Sequence, residues 1–389
     1  MKQPSSYRVA HVVGNLDVGG GQKLTALIAK GLHQRGVDVT VVSLGVAGYY
    51  GDYLDAAGVP VVTMGFGDGG TAVNWGRAPR SLASFVRLFS RERWDIVHTH
   101  MFRTAVLTTG IAKATGAKVL GTSHRVYFPR VQPVTERALS TLQSGIVVDS
   151  RAVGEILMAK TGIPAEKYIA IHNGIDEDEF ADAPSKEQAR KDLHLPAGEI
   201  LIGCVAALAE HKGQRFLIEA IQRLLSEGFD VRLVLVGGGA DEDNLRAKVD
   251  ALGVVDRVDL LGVRTDLARV LSALDVLALP SIFEGFGIVQ AEGMLMGLPV
   301  VATNAGGALE VVDEGETGFL VPYGDVTALT DRLRLLVKNP AMRQEMGIKG
   351  KAKVEREFTV DRMVDRYLDL YERVSSGRPP QYVSDRPSA

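Results

Sequence analysis

The chain has 389 residues, 46% of them hydrophobic, with 44 basic against 47 acidic side chains and a net charge of −3. That length suits two domains, each large enough for its own core. A single cysteine, Cys204, excludes an intrachain disulfide, and no apolar run approaches the roughly 20 residues of a membrane-spanning helix.

The charge is unevenly shared, about +6 over residues 1–177 and about −9 over 178–389. A basic first half suits anionic partners such as lipid headgroups or a lipid-linked phosphate, although scattered surface arginines explain it equally well. The opening MKQPSSYRVAHVV has no signal-peptide core before its first strand pattern, so a cytoplasmic protein is expected.

In chain order, 8–14 reads as a strand, 15–21 as a loop, 22–35 as a helix and 37–44 as a second strand, together a βαβ unit. Gly19-Gly20-Gly21 invites a dinucleotide-binding reading. The G-x-G-x-x-G spacing is missing, however, and no acidic residue closes the second strand. Short strand patterns follow at 59–64, 96–100 and 118–123. Between them, 79–94 reads as an amphipathic helix, with Leu82, Phe85, Val86 and Phe89 apolar and Arg80, Arg87, Arg91 and Arg93 basic. Such a helix can lie on a membrane or cross over a sheet, and the second is expected. His98, His100 and His124 fall near carboxyl ends of strands, where open parallel sheets place ligands. His98 and His100 share one strand face, and no third ligand has suitable spacing, so no metal site is expected. Strand patterns at 145–149 and 168–172 close this half. Asp176-x-Asp178 in HNGIDEDEF has the form of a metal motif, but the loop-like DAPSKEQ that follows makes it a domain boundary.

The second half restarts with a strand at 200–206, carrying Cys204 as a buried thiol, a turn at 208–213 and a helix at 216–225. Lys212 stands at the loop-to-helix junction, where a lysine reaches a phosphate as a mobile point charge. Strands at 231–236 and 258–261 follow, the latter leading into Gly262-Val263-Arg264-Thr265-Asp266. The most informative stretch is VLALPSIFEGFGIVQAEGMLMGLPVVAT, residues 276–303. A buried strand stops at Pro280, Glu284 opens a loop through Gly285-Phe286-Gly287, and a helix starts at Ile288 with Glu292 on it. Backbone N–H groups at such a helix start bind phosphate, and glycines allow close approach. Carboxylates repel phosphate, so Glu284 and Glu292 are explained as acceptors for hydroxyls of a sugar and a ribose on either side of a diphosphate. Gly306-Gly307 and Glu310 open another loop and helix, 317–322 is an edge strand, and 326–374 is helical with a break at Asn339-Pro340. From Ser375 the Pro- and Ser-rich tail should be disordered.

Glu284 and Glu292, with seven residues between them in an EGFG context between LPS and GLPVVAT, resemble the E-x7-E motif of retaining GT-B glycosyltransferases. More narrowly, they resemble the group 1 (family 4) class, which uses nucleotide-sugar donors. The resemblance covers the chain to about residue 374 and is strongest in the second half. It implies an α/β GT-B fold, two Rossmann-like domains facing across a deep cleft. Residues 1–177 would form the acceptor side and 178–358 the donor side. A helix at 359–374 would cross back to the first domain, ahead of a disordered tail at 375–389. Gly19 and Gly20 match a glycine pair that approaches the donor diphosphate, and His124 matches a histidine presented to the donor sugar. Lys212-Gly213 matches the family's Lys-Gly, but Ala207 stands where an arginine is usual, which removes one expected cation. Gly285, Phe286, Gly287 and Ile288 would cradle phosphate, Glu284 would orient sugar hydroxyls and Glu292 would hold the ribose. The segment with Arg264 would lie near the base.

The implied reaction moves a hexose or N-acetylhexosamine from a nucleotide diphosphate sugar to a hydroxyl of a glycan or lipid-linked acceptor, with no metal or other cofactor. The family's commonest setting is cell-surface polysaccharide, lipopolysaccharide or glycolipid synthesis at the inner face of the cell membrane, with peripheral contact to an anionic surface. No nucleic-acid partner is implied. The competing readings are a non-catalytic nucleotide-sugar binder, made conceivable by Ala207, and a sugar-nucleotide epimerase or hydrolase on the same fold. A nicotinamide-dependent oxidoreductase is disfavoured by the missing fingerprint.

Overall fold

The computed structural model describes residues 7–67, 78–123 and 132–378. The chain forms two compact units: unit 1 runs to Gly174 and resumes at Val360, and unit 2 is Ile175–Thr359.

Unit 1 opens with β1 (Arg8–Val13), α1 (Gly20–Gln34), β2 (Asp38–Ser43), α2 (Gly48–Ala56) and β3 (Val61–Thr63). It continues with α3 (Ala78–Arg91), β4 (Ile96–His100), α4 (Phe102–Ala114) and β5 (Lys118–Ser123). Then come α5 (Gln132–Ser140), β6 (Gly145–Val148), α6 (Arg151–Thr161) and β7 (Tyr168–Ala170). The strands pair in parallel in the order β3-β2-β1-β4-β5-β6-β7. Helices cover both faces, and the strands accordingly read as short Val- and Ile-rich runs rather than alternating ones. The first helix starts at Gly20, two residues earlier than the sequence pattern suggests, with Gly19 extended as its N-cap.

Of the apolar residues on α3, Phe85 and Phe89 are buried, with Phe89 edge-on to Trp94 at 4.8 Å, so this helix is a crossover packed on the sheet. Leu82 and Val86 are exposed, as are Arg80, Arg87, Arg91 and the nearby Arg93. No helix among the described residues is long and apolar enough to cross a membrane.

Unit 2 begins with α7 (Asp178–Ala181), α8 (Lys186–Asp192), β8 (Ile200–Val205), α9 (Gln214–Ser226), β9 (Val231–Val236) and α10 (Glu242–Ala251). Next are β10 (Val258–Leu260), α11 (Leu267–Ala273), β11 (Val276–Leu279), α12 (Ile288–Leu295), β12 (Val300–Thr303) and α13 (Ala308–Val311). It ends with β13 (Gly318–Val321), α14 (Val326–Lys338) and α15 (Pro340–Glu357). Its parallel sheet runs β10-β9-β8-β11-β12-β13. Pro340 occupies the first position of α15, where its missing N–H costs nothing, which explains the break between α14 and α15.

The last helix, α16 (Val360–Ser375), belongs to unit 1. Its apolar residues recur at Met363, Val364, Tyr367, Leu370, Tyr371 and Val374, one face of a 3.6-residue period, and all six join the core formed by β1 and α1. Gly31 of α1 provides the room, since a Cβ there would stand 2.5 Å from Val364. Helix continues through Ser375 and a turn follows, so the chain stays ordered past the point where disorder is expected. Residues 379–389 lie outside the described residues.

Candidate functional site

In unit 2 the carboxyl ends of β8, β11 and β12 meet at one sheet edge. After β8 the chain makes a 3₁₀ turn, Glu210–Lys212, before α9. The Ile282 amide donates to the His211 carbonyl at 2.8 Å, which ties that turn to the loop after β11. The result brings Lys212 against Glu284: Nζ lies 2.8 Å from Oε1 and 3.0 Å from Oε2, with both side chains only 19% exposed. Two of the sequence-predicted residues therefore form a half-buried ion pair.

The EGFG loop is pinned from two sides. Phe286 is buried and edge-on to Phe358, with ring centroids 5.2 Å apart. On the other side the Gly307 amide donates to the Glu284 carbonyl at 2.9 Å. A Cβ at Gly307 would come within 2.4 Å of the Phe286 backbone, so only glycine allows this approach. Gly287, at φ 95°, then turns the chain into α12, where a side chain would be strained. The Ala291 amide is bonded back to the Gly287 carbonyl, and the amides of the turn before it point out of the helix start. Gly285, Gly287 and Ile288 thus surround a helix N-terminus, while Glu292 is buried at 4% exposure within α12.

Sequence reasoning missed a set of buried polar groups around this edge. Ser281 Oγ, Thr303 Oγ1, Gln214 Oε1 and both amide atoms of Gln290 have no hydrogen-bond partner among the described residues. Buried polar atoms are rarely left so, and their gathering at one sheet edge marks a place built for a ligand or ordered water. The available signal was positional: each stands next to a strand end or in a helix's first turn. Ala207 is exposed where the resembling family has arginine, and its carbonyl accepts from Gln214 Nε2 at 2.9 Å. Cys204 is buried, its thiol pushed up to about 12 by burial first and by Glu284 second, so it is no nucleophile.

Of the remaining predicted residues, Arg264 follows β10 of the same parallel sheet. The fork of Arg264 is engaged by Asp266, at 2.8 and 2.6 Å, which holds the Asp266 carboxyl below its usual range. Gly19 and Gly20 are in unit 1, at the carboxyl end of β1; a Cβ at Gly20 would meet nothing within 4 Å. His124 lies outside the described residues.

The third histidine near His98 and His100 comes from the sheet register and not from sequence spacing. His11 of β1 pairs directly with His98 of β4. His11 Nδ1 lies 2.8 Å from His100 Nε2, and the hydroxyl of Tyr371 on α16 lies 3.2 Å from His11 Nε2 and 2.7 Å from His98 Nδ1. His98 Nε2 meets Thr122 Oγ1 at 2.7 Å. The three rings are close enough to chelate an ion. Five of their six ring nitrogens are hydrogen-bonded to one another, to Tyr371 and to Thr122. The cluster is a polar core network fastening α16 to the sheet, and burial pushes His11 down to about 3.

Residues 18–179 match Glycosyltransferase Family 4, and residues 185–353 match Glycosyl transferases group 1. The D-inositol 3-phosphate glycosyltransferase of Xylanimonas cellulosilytica is 30% identical over 299 residues, 74% of this chain and 69% of that protein. This chain belongs to the group 1 (family 4) glycosyltransferases. A second relative of this glycosyltransferase is the N-acetyl-alpha-D-glucosaminyl L-malate synthase of Bacillus anthracis, 27% identical over 72% of this chain and 75% of that one. Among solved structures, Anabaena HepE in complex with UDP and glucose superposes with a TM-score of 0.81 at 23% identity, covering 94% of this chain and 99% of that one. That likeness identifies the two Rossmann-like units as the GT-B fold. The reaction is therefore glycosyl transfer from a nucleotide-sugar donor.

Proposed function

We propose that the chain is a retaining, metal-independent transferase that moves a hexose or N-acetylhexosamine to a hydroxyl of a glycan or lipid-linked acceptor. The observation that carries the reading is the Lys212–Glu284 pair beside the start of α12. Negative charge grows on the leaving diphosphate as the glycosidic bond breaks. A mobile ammonium and outward-facing helix amides are the groups that stabilise it, commonly the largest catalytic contribution. Glu284 then turns from its lysine to the hydroxyls of the donor sugar, and Glu292 holds the ribose. With two nitrogenous sources of positive potential at the phosphates, no divalent ion is needed. A departing phosphate oxygen takes the acceptor proton on the face it leaves, which retains configuration.

The cytoplasmic face of a membrane is the proposed setting. The exposed Arg80, Arg87 and Arg91 on α3, with Leu82 and Val86, suit peripheral contact with anionic headgroups. A thermal-shift screen against UDP-, GDP- and ADP-sugars tests the donor, since ligand binding to the native state raises the melting temperature. One nucleotide sugar should give a clear shift, unchanged by EDTA. A folded protein that responds to none would overturn the reading, and a strict requirement for added divalent metal would overturn its mechanism.

A further inference from the structure

Unit 1 contains a cavity of about 30 Å³ at the carboxyl ends of β4 and β5, the end of a parallel sheet at which ligands bind. Its lining combines apolar residues, Met101, Ala105 and Leu157 among them, with the polar Ser123, Glu136 and Gln143. One water needs about 10–15 Å³ of such space, so the cavity admits a small polar group of about two heavy atoms.

Three observations set this cavity apart from ordinary packing. First, Met101 at its edge has φ 73°, one of two non-glycine residues with positive φ among the described residues. Such strain persists only where surrounding structure imposes it, and it gathers at functional positions. Second, Glu136 is half-buried, its carboxyl raised by that burial, yet it faces no described cation. Gln132 Nε2 donates to one of its oxygens at 2.9 Å, and the other has no hydrogen-bond partner among the described residues. Third, the wall is stiffened from behind, because Thr122, which also lines the cavity, is held by His98 of the histidine network at 2.7 Å.

We infer that this cavity seats a neutral hydroxymethyl group of the acceptor, with the Glu136 carboxylate accepting its hydrogen bond. The inference rests on transfer to a hydroxyl-bearing acceptor. A carboxylate in the lining accepts from a hydroxyl and repels a phosphate or a second carboxylate, while the apolar side chains suit the methylene. Glu136 is a positioning residue here, since it holds the acceptor by a group that does not react.

The test is saturation-transfer NMR on the full chain with three glycosides. Methyl β-D-glucopyranoside carries the hydroxymethyl group, methyl β-D-xylopyranoside lacks it, and methyl β-D-glucuronide has a carboxylate in its place. The glucoside should receive saturation at its C6 protons, and its anomeric proton should be saturated about fivefold more than those of the other two, the worth of one hydrogen bond. Ala105→Leu fills the cavity and should remove the preference. Glu136→Gln keeps an acceptor oxygen without the charge, and should hold the glucoside signal while raising the glucuronide to near it. Equal signals from all three glycosides, or an unaltered preference in Ala105→Leu, would overturn the assignment. So would silence from every glycoside in protein that still shifts with a nucleoside diphosphate. Loss of that nucleotide shift would instead strike at the donor reading, leaving the glycoside comparison to decide the cavity.

Discussion

Replacing Glu284 by glutamine separates two effects that a simple deletion confounds. Lys212 is neutralised by Glu284 at 2.8 Å, so a diphosphate must draw the ammonium away from its carboxylate before using it. Unit charges about 4 Å apart attract by roughly 4 kcal/mol at an effective dielectric constant of 20. Desolvation and side-chain entropy leave a net of about 1 kcal/mol for most partly exposed pairs. Glu284→Gln removes that competition, and a nucleoside diphosphate should bind about fivefold more tightly, since 1.4 kcal/mol is tenfold. The same change takes away the carboxylate that orients the sugar, and turnover should fall by about 10²- to 10³-fold, the usual loss on removing one preorganised polar contact. Lys212→Met should lose both binding and turnover. Titration calorimetry with the nucleoside diphosphate and steady-state transfer with the matching sugar read the two quantities separately. Weaker diphosphate binding in Glu284→Gln, or near-normal transfer, would refute the idea that the pair is broken and re-formed during the reaction.

Two further outcomes follow from the geometry. His11 is held neutral in the core at a value near 3, against about 6.5 unfolded, so the unfolded chain takes up a proton that the folded chain refuses. Its contribution to stability is complete above pH 6.5 and drains by about 1 kcal/mol per pH unit as pH falls from 6 towards 4. Urea unfolding across that range should show a slope that flattens in His11→Phe, and an equal slope in both proteins would contradict the assignment. Gly307→Ala places a methyl within 2.4 Å of the Phe286 backbone and should abolish the diphosphate-induced thermal shift, whereas Gly20→Ala meets open space. Melting temperature should survive Gly20→Ala within about 2 °C, as expected of a change within ±0.5 kcal/mol, while the nucleotide shift should weaken if the diphosphate approaches this glycine as it does in the family.

Much of the unit 2 edge was legible because its parts are contiguous. Glu284, Gly285, Phe286, Gly287 and Glu292 fall within nine residues, and a strand, a loop and a helix start dictate what each must do. Lys212 was legible as a cation at a loop-to-helix junction, though nothing in the sequence said that its partner would be Glu284, 72 residues away. Pairings of that kind depend on which strands are neighbours. The same cause hid the histidine network. His98 and His100 are two residues apart, but His11 joins them only because β1 lies beside β4 in the order β3-β2-β1-β4. Tyr371, 360 residues from His11, joins them only because α16 packs there. The apolar stripe on α3 was ambiguous for a different reason: periodicity gives an amphipathic face but cannot say what covers it. The sheet covers Phe85 and Phe89 and leaves Leu82 and Val86 to solvent.

The two polar clusters differ in a way that separates scaffold from chemistry. In unit 1 the histidines, Tyr371 and Thr122 are linked by hydrogen bonds of 2.7–3.2 Å, and such a network stabilises one packing of α16 and resists change. In unit 2, Ser281, Gln290 and Thr303 are buried with groups left unmatched, and each costs about 1–3 kcal/mol for as long as it stays so. A fold that tolerates several such costs at one edge gains when something polar arrives there. The diphosphate and ribose of a donor sugar, with many acceptor and donor atoms and two negative charges, are suited to that edge, and the neighbouring Lys212 gives it the matching sign.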